Sequence, residues 1–135
     1  MEARCQCGAV SFKTPTARPL ALYICHCHDC RRQSSSAFGT SAIFPRFPLP
    51  DDALMSCYTS PTDPSLSVKG GCLEGLDWRK AIHIWTKTAM VPIPEGSESH
   101  SEEADFTDYG SSQAELDQPE LLRGNGGDGS LDNLP

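Results

Sequence analysis

The chain has 135 residues, seven cysteines and a net charge of −7. An odd thiol count behind an N-terminus without an apolar segment, Met1-Glu-Ala-Arg-Cys-Gln-Cys7, argues against a secreted disulfide framework, so a reducing compartment, cytoplasmic or nuclear, is expected. The longest apolar run, Leu20 to Cys25, is too short to span a bilayer, and Asp132-Asn-Leu-Pro135 matches no lipidation or retrieval signal, so no membrane partner is expected.

The charge is unevenly placed. From Ser97 to Pro135 ten acidic residues stand against the single basic Arg123, a charge of −9, whereas residues 1–96 carry ten basic and eight acidic residues, a charge of +2. The acidic part is rich in Ser, Gly and Asp and too poor in large apolar residues to offset the entropy of ordering it. The expected organisation is therefore a folded body over 1–96 and a disordered acidic tail over 97–135. Within that tail Ala114 to Leu122 is amphipathic, but Pro119 breaks it. A body charge of +2 with no basic stripe gives nucleic-acid binding little support.

In chain order, Ala9-Val-Ser-Phe12 alternates as a half-buried strand does, Leu20 to Ile24 is apolar and β-favouring, and Ser41 to Phe44, Ser65 to Val68 and Ala81 to Thr86 follow in the same manner. Prolines punctuate these runs, and only Asp29 to Ser36 has room for a helical turn or two. The class expected is mainly β. Ninety-six residues give an apolar core a narrow stability margin, so a structural metal would help.

Two thiol clusters carry the chemistry. Cys5-Gln-Cys7-Gly8 is a close pair, and Cys25-His-Cys27-His-Asp-Cys30 puts three thiols in six residues. Zinc takes four soft or borderline donors at tetrahedral angles, and thiolates one to three residues apart on a turning backbone converge on one ion with little strain. In an extended segment Cys25 and Cys27 share a face, His26 and His28 take the other, and a turn at Asp29 brings Cys30 round. Three thiolates leave one tetrahedral position open, the arrangement of catalytic zinc, unless His28 or Cys72 closes the shell.

The motifs Cys5-x-Cys7-Gly8-x-Val10-x-Phe12, Cys25-His26-Cys27-x-x-Cys30-Arg31, Ser65-Leu-Ser-Val-Lys-Gly-Gly71 and His83-Ile-Trp85 together resemble the glutathione-dependent formaldehyde-activating enzyme family, which also contains centromere protein V. The resemblance runs from Glu2 to about Gly96, and His83-Ile-Trp85 with Pro92-Ile-Pro-Glu-Gly96 is similar to the fungal members. It implies a small zinc-bound tent of antiparallel β-sheets. It also implies that Cys5 and Cys7 hold half of a structural zinc site whose other half is a later Cys-x-x-Cys-Gly. That second half is missing here: the stretch Met55-Ser-Cys57-Tyr-Thr-Ser-Pro-Thr-Asp-Pro64 has one cysteine and reads as an internal deletion. Cys57 or Cys72 is a possible substitute, although Cys72 reads equally well as a buried small residue.

By the same resemblance, Cys25, Cys27 and Cys30 hold a zinc that faces substrate. Zinc on three thiolates carries a net negative charge and suits thiol chemistry better than hydroxide generation. The expected function is a carbon–sulfur lyase acting on glutathione–formaldehyde adducts of the S-hydroxymethylglutathione type. The small-molecule partner is then a glutathione-like thiol adduct, and the cofactor is zinc. Arg31, Arg32 and Lys69 are candidates for its carboxylates, against a solvated face for the arginines and a tight turn for Lys69-Gly70-Gly71. Gln33 and Ser34 to Ser36 offer further donors, or turn caps. His83 and Trp85 share a strand face and read first as core packing, second as an aromatic wall. The alternatives are a non-catalytic, zinc-stabilised binding module and a truncated member that folds poorly for want of half a zinc site.

Overall fold

A computed structural model describes residues 1–51, 53, 57–58 and 62–104. Two sheets form among them. β1 (Glu2–Arg4) and β2 (Ser11–Lys13) make an antiparallel hairpin, and a larger sheet runs in the order β5 (Cys57–Tyr58), β6 (Ser65–Lys69), β4 (Gly39–Pro45), β3 (Ala21–Cys25), β7 (Ile82–Ile84). The short helix α1 (His28–Ser34) follows β3, and single 3₁₀ turns lie at Gly70–Cys72, Trp78–Lys80 and Thr86–Thr88. The class is mainly β, as the alternating runs predict, and no described helix is long and apolar enough to cross a membrane. One joint departs from the antiparallel expectation: β7 lies parallel to β3, in register Tyr23↔Ile82, Ile24↔His83 and Cys25↔Ile84.

The large sheet owes its two unlike faces to a period of two. Ala42, Phe44, Leu66 and Val68 point to one side, and together with Ala3 and Leu73 they form the buried cluster against which Phe12 and Leu22 pack. The hairpin reaches this core through a bridge between Ala3 and Leu73. The opposite side carries the polar members of the same strands, with Ser41 opposite Lys69 and Cys25 opposite Gly39. A one-residue slip of β4 would put Ser41 into the core and Phe44 into water, so burial pins the register.

Beyond β7 the chain turns at Trp85, which adopts left-handed backbone angles (φ 58°, ψ 38°). A bulky residue there is strained by roughly 1–3 kcal/mol and persists only because its surroundings over-determine it. Its amide donates to the Glu102 carbonyl at 2.9 Å, while the His83 amide donates to the Glu98 carbonyl and the His83 carbonyl accepts from the His100 amide, both at 2.9 Å. Residues 98–102, which composition assigns to the tail, thus run along β7 as a further edge. The remainder of that expected tail, 105–135, including Ala114 to Leu122, lies outside the described residues.

Gly70 shows why a residue type matters here. A β-carbon there would stand 2.3 Å from the Trp78 ring and 2.6 Å from the Thr40 hydroxyl, so the close approach of these groups requires glycine. Phe44 is fully buried at the centre of the core. Phe44→Ala is expected to lower stability by about 3–5 kcal/mol, measured by urea denaturation of the zinc-loaded protein.

Candidate metal centre

Three successive structural contexts bring the sulfurs together. Cys25 is the last residue of β3 and buried, Cys27 is the N-cap of α1, and Cys30 lies in the first turn of that helix. Their Sγ atoms all lie within 4.8 Å of one another. The Cys30 amide donates to Cys27 Sγ at 3.4 Å, so the cap that starts the helix also orients a metal ligand. The Cys25 thiol is pushed well above the ordinary thiol range, first by its hydrogen bond with the Cys30 side chain and then by burial. Crowded thiols of this kind resist joint ionisation until a cation compensates them. Soft donors, mutual reach and a shared turn fit zinc, whose sulfur bonds of about 2.3 Å imply sulfur–sulfur separations of about 3.8 Å. Among the described residues, neither His28 nor Cys72 joins this cluster.

The ligand turn is clamped from behind. His26, between two of the cysteines, is 1% exposed, and its Nε2 lies 3.0 Å from Nδ1 of the buried His83 on β7. The two rings stack with centroids 5.3 Å apart, and Phe38 meets His26 edge-on. Burial lowers the pKa of both imidazoles, and for His26 the neighbouring His83 adds to the effect, which favours a neutral pair sharing one proton along the contact. The His26 amide donates to the Ile84 carbonyl at 3.0 Å, and Thr88 Oγ1 donates to the His26 carbonyl at 2.9 Å. Among the described residues, His26 Nδ1 alone is a buried side-chain polar atom without a partner.

The cluster opens onto a cavity of about 750 Å³ on the polar face of the large sheet. Ser41, Ser67 and Lys69 line it from the sheet, Arg32, Gln33 and Ser34 from α1. Adjacent arginines point apart on a helix, and here they divide: Arg32 faces the cavity, whereas Arg31 donates to the Thr88 carbonyl at 2.8 Å and contacts His28 Nδ1 at 2.9 Å. Arg31, expected with Arg32 to meet substrate, does not line this cavity, and its guanidinium ties α1 to the 86–88 turn.

Trp85 and His83 do not share a role either. His83 is core, as first expected, but the left-handed turn swings Trp85 out to the cavity, where its Nε1 donates to Glu103 Oε1 at 2.9 Å. Glu103 itself also lines the cavity, and no sequence signal marked it, since it belongs to the acidic stretch read as tail. Cys72 lines this cavity as well.

The other thiol pair is separate. Cys5 and Cys7 lie in the loop joining β1 to β2, with sulfurs 3.6 Å apart, and the Val10 amide donates to Cys5 Sγ at 3.3 Å. That amide, and next the Cys7 side chain, hold the Cys5 thiol below the ordinary thiol range. No third described His, Cys, Asp or Glu donor groups with them as Cys25, Cys27 and Cys30 group. Cys72, offered by the sequence as a substitute ligand, faces the cavity with the triad, and the Cys57 side chain lies outside the described residues.

Residues 1–53, which contain both thiol clusters, match the family model described as glutathione-dependent formaldehyde-activating enzyme. No curated protein matches the chain.

Replacing Cys27 by Ser is expected to lower bound zinc by about one ion per chain in metal analysis. His83→Phe leaves His26 Nε2 buried and unpaired, so it is expected to cost about 1–3 kcal/mol in urea denaturation, with His83→Gln losing less because an amide can still reach that nitrogen.

Proposed function

We propose, from the match of residues 1–53 to the glutathione-dependent formaldehyde-activating enzyme family model, that the chain makes and breaks the carbon–sulfur bond of glutathione–formaldehyde adducts. In the forward direction a thiolate sulfur adds to the carbonyl carbon of formaldehyde, the carbonyl π electrons move to oxygen, which takes up a proton, and an S-hydroxymethyl hemithioacetal results. The reverse step cleaves the same bond. Zinc held by Cys25, Cys27 and Cys30 would keep an incoming thiol deprotonated near neutral pH.

The protein's own groups supply position and charge. Arg32 and Lys69 enter the cavity from different elements, which suits a ligand carrying two separated carboxylates. Glu103, held by the Trp85 indole, offers a complementary anion for an ammonium group. Phe38 and Trp85 give the same space apolar wall, and Ser41, Ser67 and Gln33 give it neutral hydrogen-bonding groups. A ligand with a thiol, two carboxylates and one ammonium finds a counterpart for each of them here. The observation that carries this reading is that the three sulfurs themselves line the cavity, so a ligand in it reaches the metal-binding side of the triad.

Exchange of formaldehyde with glutathione, followed by NMR at equilibrium, tests the reading. The zinc-loaded protein is expected to accelerate the exchange and Cys27→Ser to return it to the spontaneous rate; equal rates for the two would sink the proposal. Arg32→Ala and Lys69→Ala are each expected to raise the KM for glutathione about tenfold, equivalent to about 1.4 kcal/mol of lost pairing, while Arg31→Ala acts on stability and leaves KM near that of the wild type.

A further inference from the structure

The order of the large sheet sets unlike charges on opposite sides of the thiol triad. Cys25 ends β3, an inner strand. Lys69 ends β6, which lies two places from β3 across β4, and residues 98–102 run along the far edge of β7, two places from β3 in the other direction. With strands about 4.8 Å apart, each flank stands about 10 Å from β3. Lys69 and Glu103 both line the cavity, so the triad lies between a cation and an anion.

Both charges are free to meet a ligand. Among the described residues neither Lys69 nor Glu103 takes part in an ion pair, and the hydrogen bond that Glu103 makes is the one from Trp85 Nε1 to its Oε1, at 2.9 Å. An indole N–H aims a carboxylate without cancelling its charge. The indole is fixed in turn, because the Trp85 amide donates to the Glu102 carbonyl at 2.9 Å and Lys87 Nζ, paired with Glu102, lies 5.0 Å from the ring centroid.

A sulfur at the centre with unlike charges to either side matches the layout of glutathione. Its cysteine is the middle residue; one arm ends in the glycine carboxylate, and the γ-glutamyl arm carries an ammonium beside a carboxylate. Since an extended chain covers about 3.3–3.6 Å per residue, arms leaving the triad in both directions approach both flanks. Resting on the glutathione reading above, we infer that the tripeptide lies across the sheet with its glycine carboxylate toward Lys69 and its γ-glutamyl ammonium toward Glu103, and that Glu103 is the specificity residue selecting thiols with a free ammonium. The carboxylate beside that ammonium is left to Arg32, which enters from α1. The reversed orientation would bring the glycine carboxylate, which has no ammonium beside it, against Glu103. Asp29 also lines the cavity, but it lies between Cys27 and Cys30 in the first turn of α1, beside the thiols rather than on a flank.

Calorimetric titration of the zinc-loaded full chain reads this selection without turnover. The two probes are glutathione and glutaryl-cysteinyl-glycine, the same molecule with its amino group replaced by hydrogen. Glutathione is expected to bind about fivefold more tightly, the upper range for a solvent-exposed charge pair. In Glu103→Gln that preference is expected to vanish through weaker binding of glutathione, with the glutaryl thiol unchanged or tighter, and undiminished zinc content reports an intact fold. Trp85→Phe, which removes the N–H that aims the carboxylate, is expected to reduce the preference. Lys69→Ala is expected to weaken glutathione but not its glycine ethyl ester. Equal affinities of wild type for the two probes, binding of neither, a preference that survives Glu103→Gln, or an equal effect of Lys69→Ala on glutathione and its glycine ester would each overturn the inference. Selective binding with formaldehyde exchange at the spontaneous rate would refute the carbon–sulfur chemistry and uphold the selection.

Discussion

The turn that carries Cys25, Cys27 and Cys30 leaves a strand, passes His26 and Cys27 and enters a helix, and the local cap bond from the Cys30 amide to Cys27 Sγ is not the only thing that fixes it. Its position rests on the parallel pairing of β3 with β7, a strand nearly sixty residues further along the chain. That pairing places Ile84 to accept from the His26 amide, His83 to meet the His26 ring, and Thr88 to bond the His26 carbonyl and receive Arg31. The residue between two ligands is therefore fixed at its amide, its carbonyl and its ring by one short segment. Loss of that segment's position would free the turn and the start of α1 together.

The same segment shapes the cavity. Because His83 faces the core and Trp85 takes left-handed angles, the chain emerges from β7 with its indole on the cavity side and meets Glu103. Residues 98–102 satisfy backbone groups of His83 and Trp85 that an edge strand would otherwise leave to water. Strain at Trp85 is thus maintained by paired backbone on both sides, and the gain is an aromatic wall beside the thiol triad.

Two thiol clusters in one small body behave differently because of where each lies. The triad sits at the edge of the sheet's polar face, where Cys25 is buried and the charge of ionised sulfur needs a cation. The Cys5–Cys7 pair sits on an exposed hairpin tip, where amide donors already favour the ionised form of Cys5. The first faces a cavity, and the second stands at the surface.

Local chemistry on this chain is legible without coordinates. Alternation in Ser41 to Phe44 and Ser65 to Val68 marks strands, because a period of two is a property of the extended backbone itself. Cysteine spacing marks the thiol cluster that could hold a metal for a similar reason, since chelation by one turn depends on residues a few positions apart. What depends on distant segments is not legible. The parallel β3–β7 joint and the division of labour between Arg31 and Arg32 follow from contacts between residues more than fifty positions apart along the chain, such as Arg31 with Thr88, and the turning-out of Trp85 from its contacts with Glu102 and Glu103 beyond the next turn. Glu103 is the sharpest case: composition places it in a solvated tail, yet pairing of its neighbours with β7 brings it to the cavity. Spacing along the chain specified which sulfurs group where one metal ion could be held; only tertiary pairing decided which side chains share the cavity, because that is settled by which segments exchange water for one another.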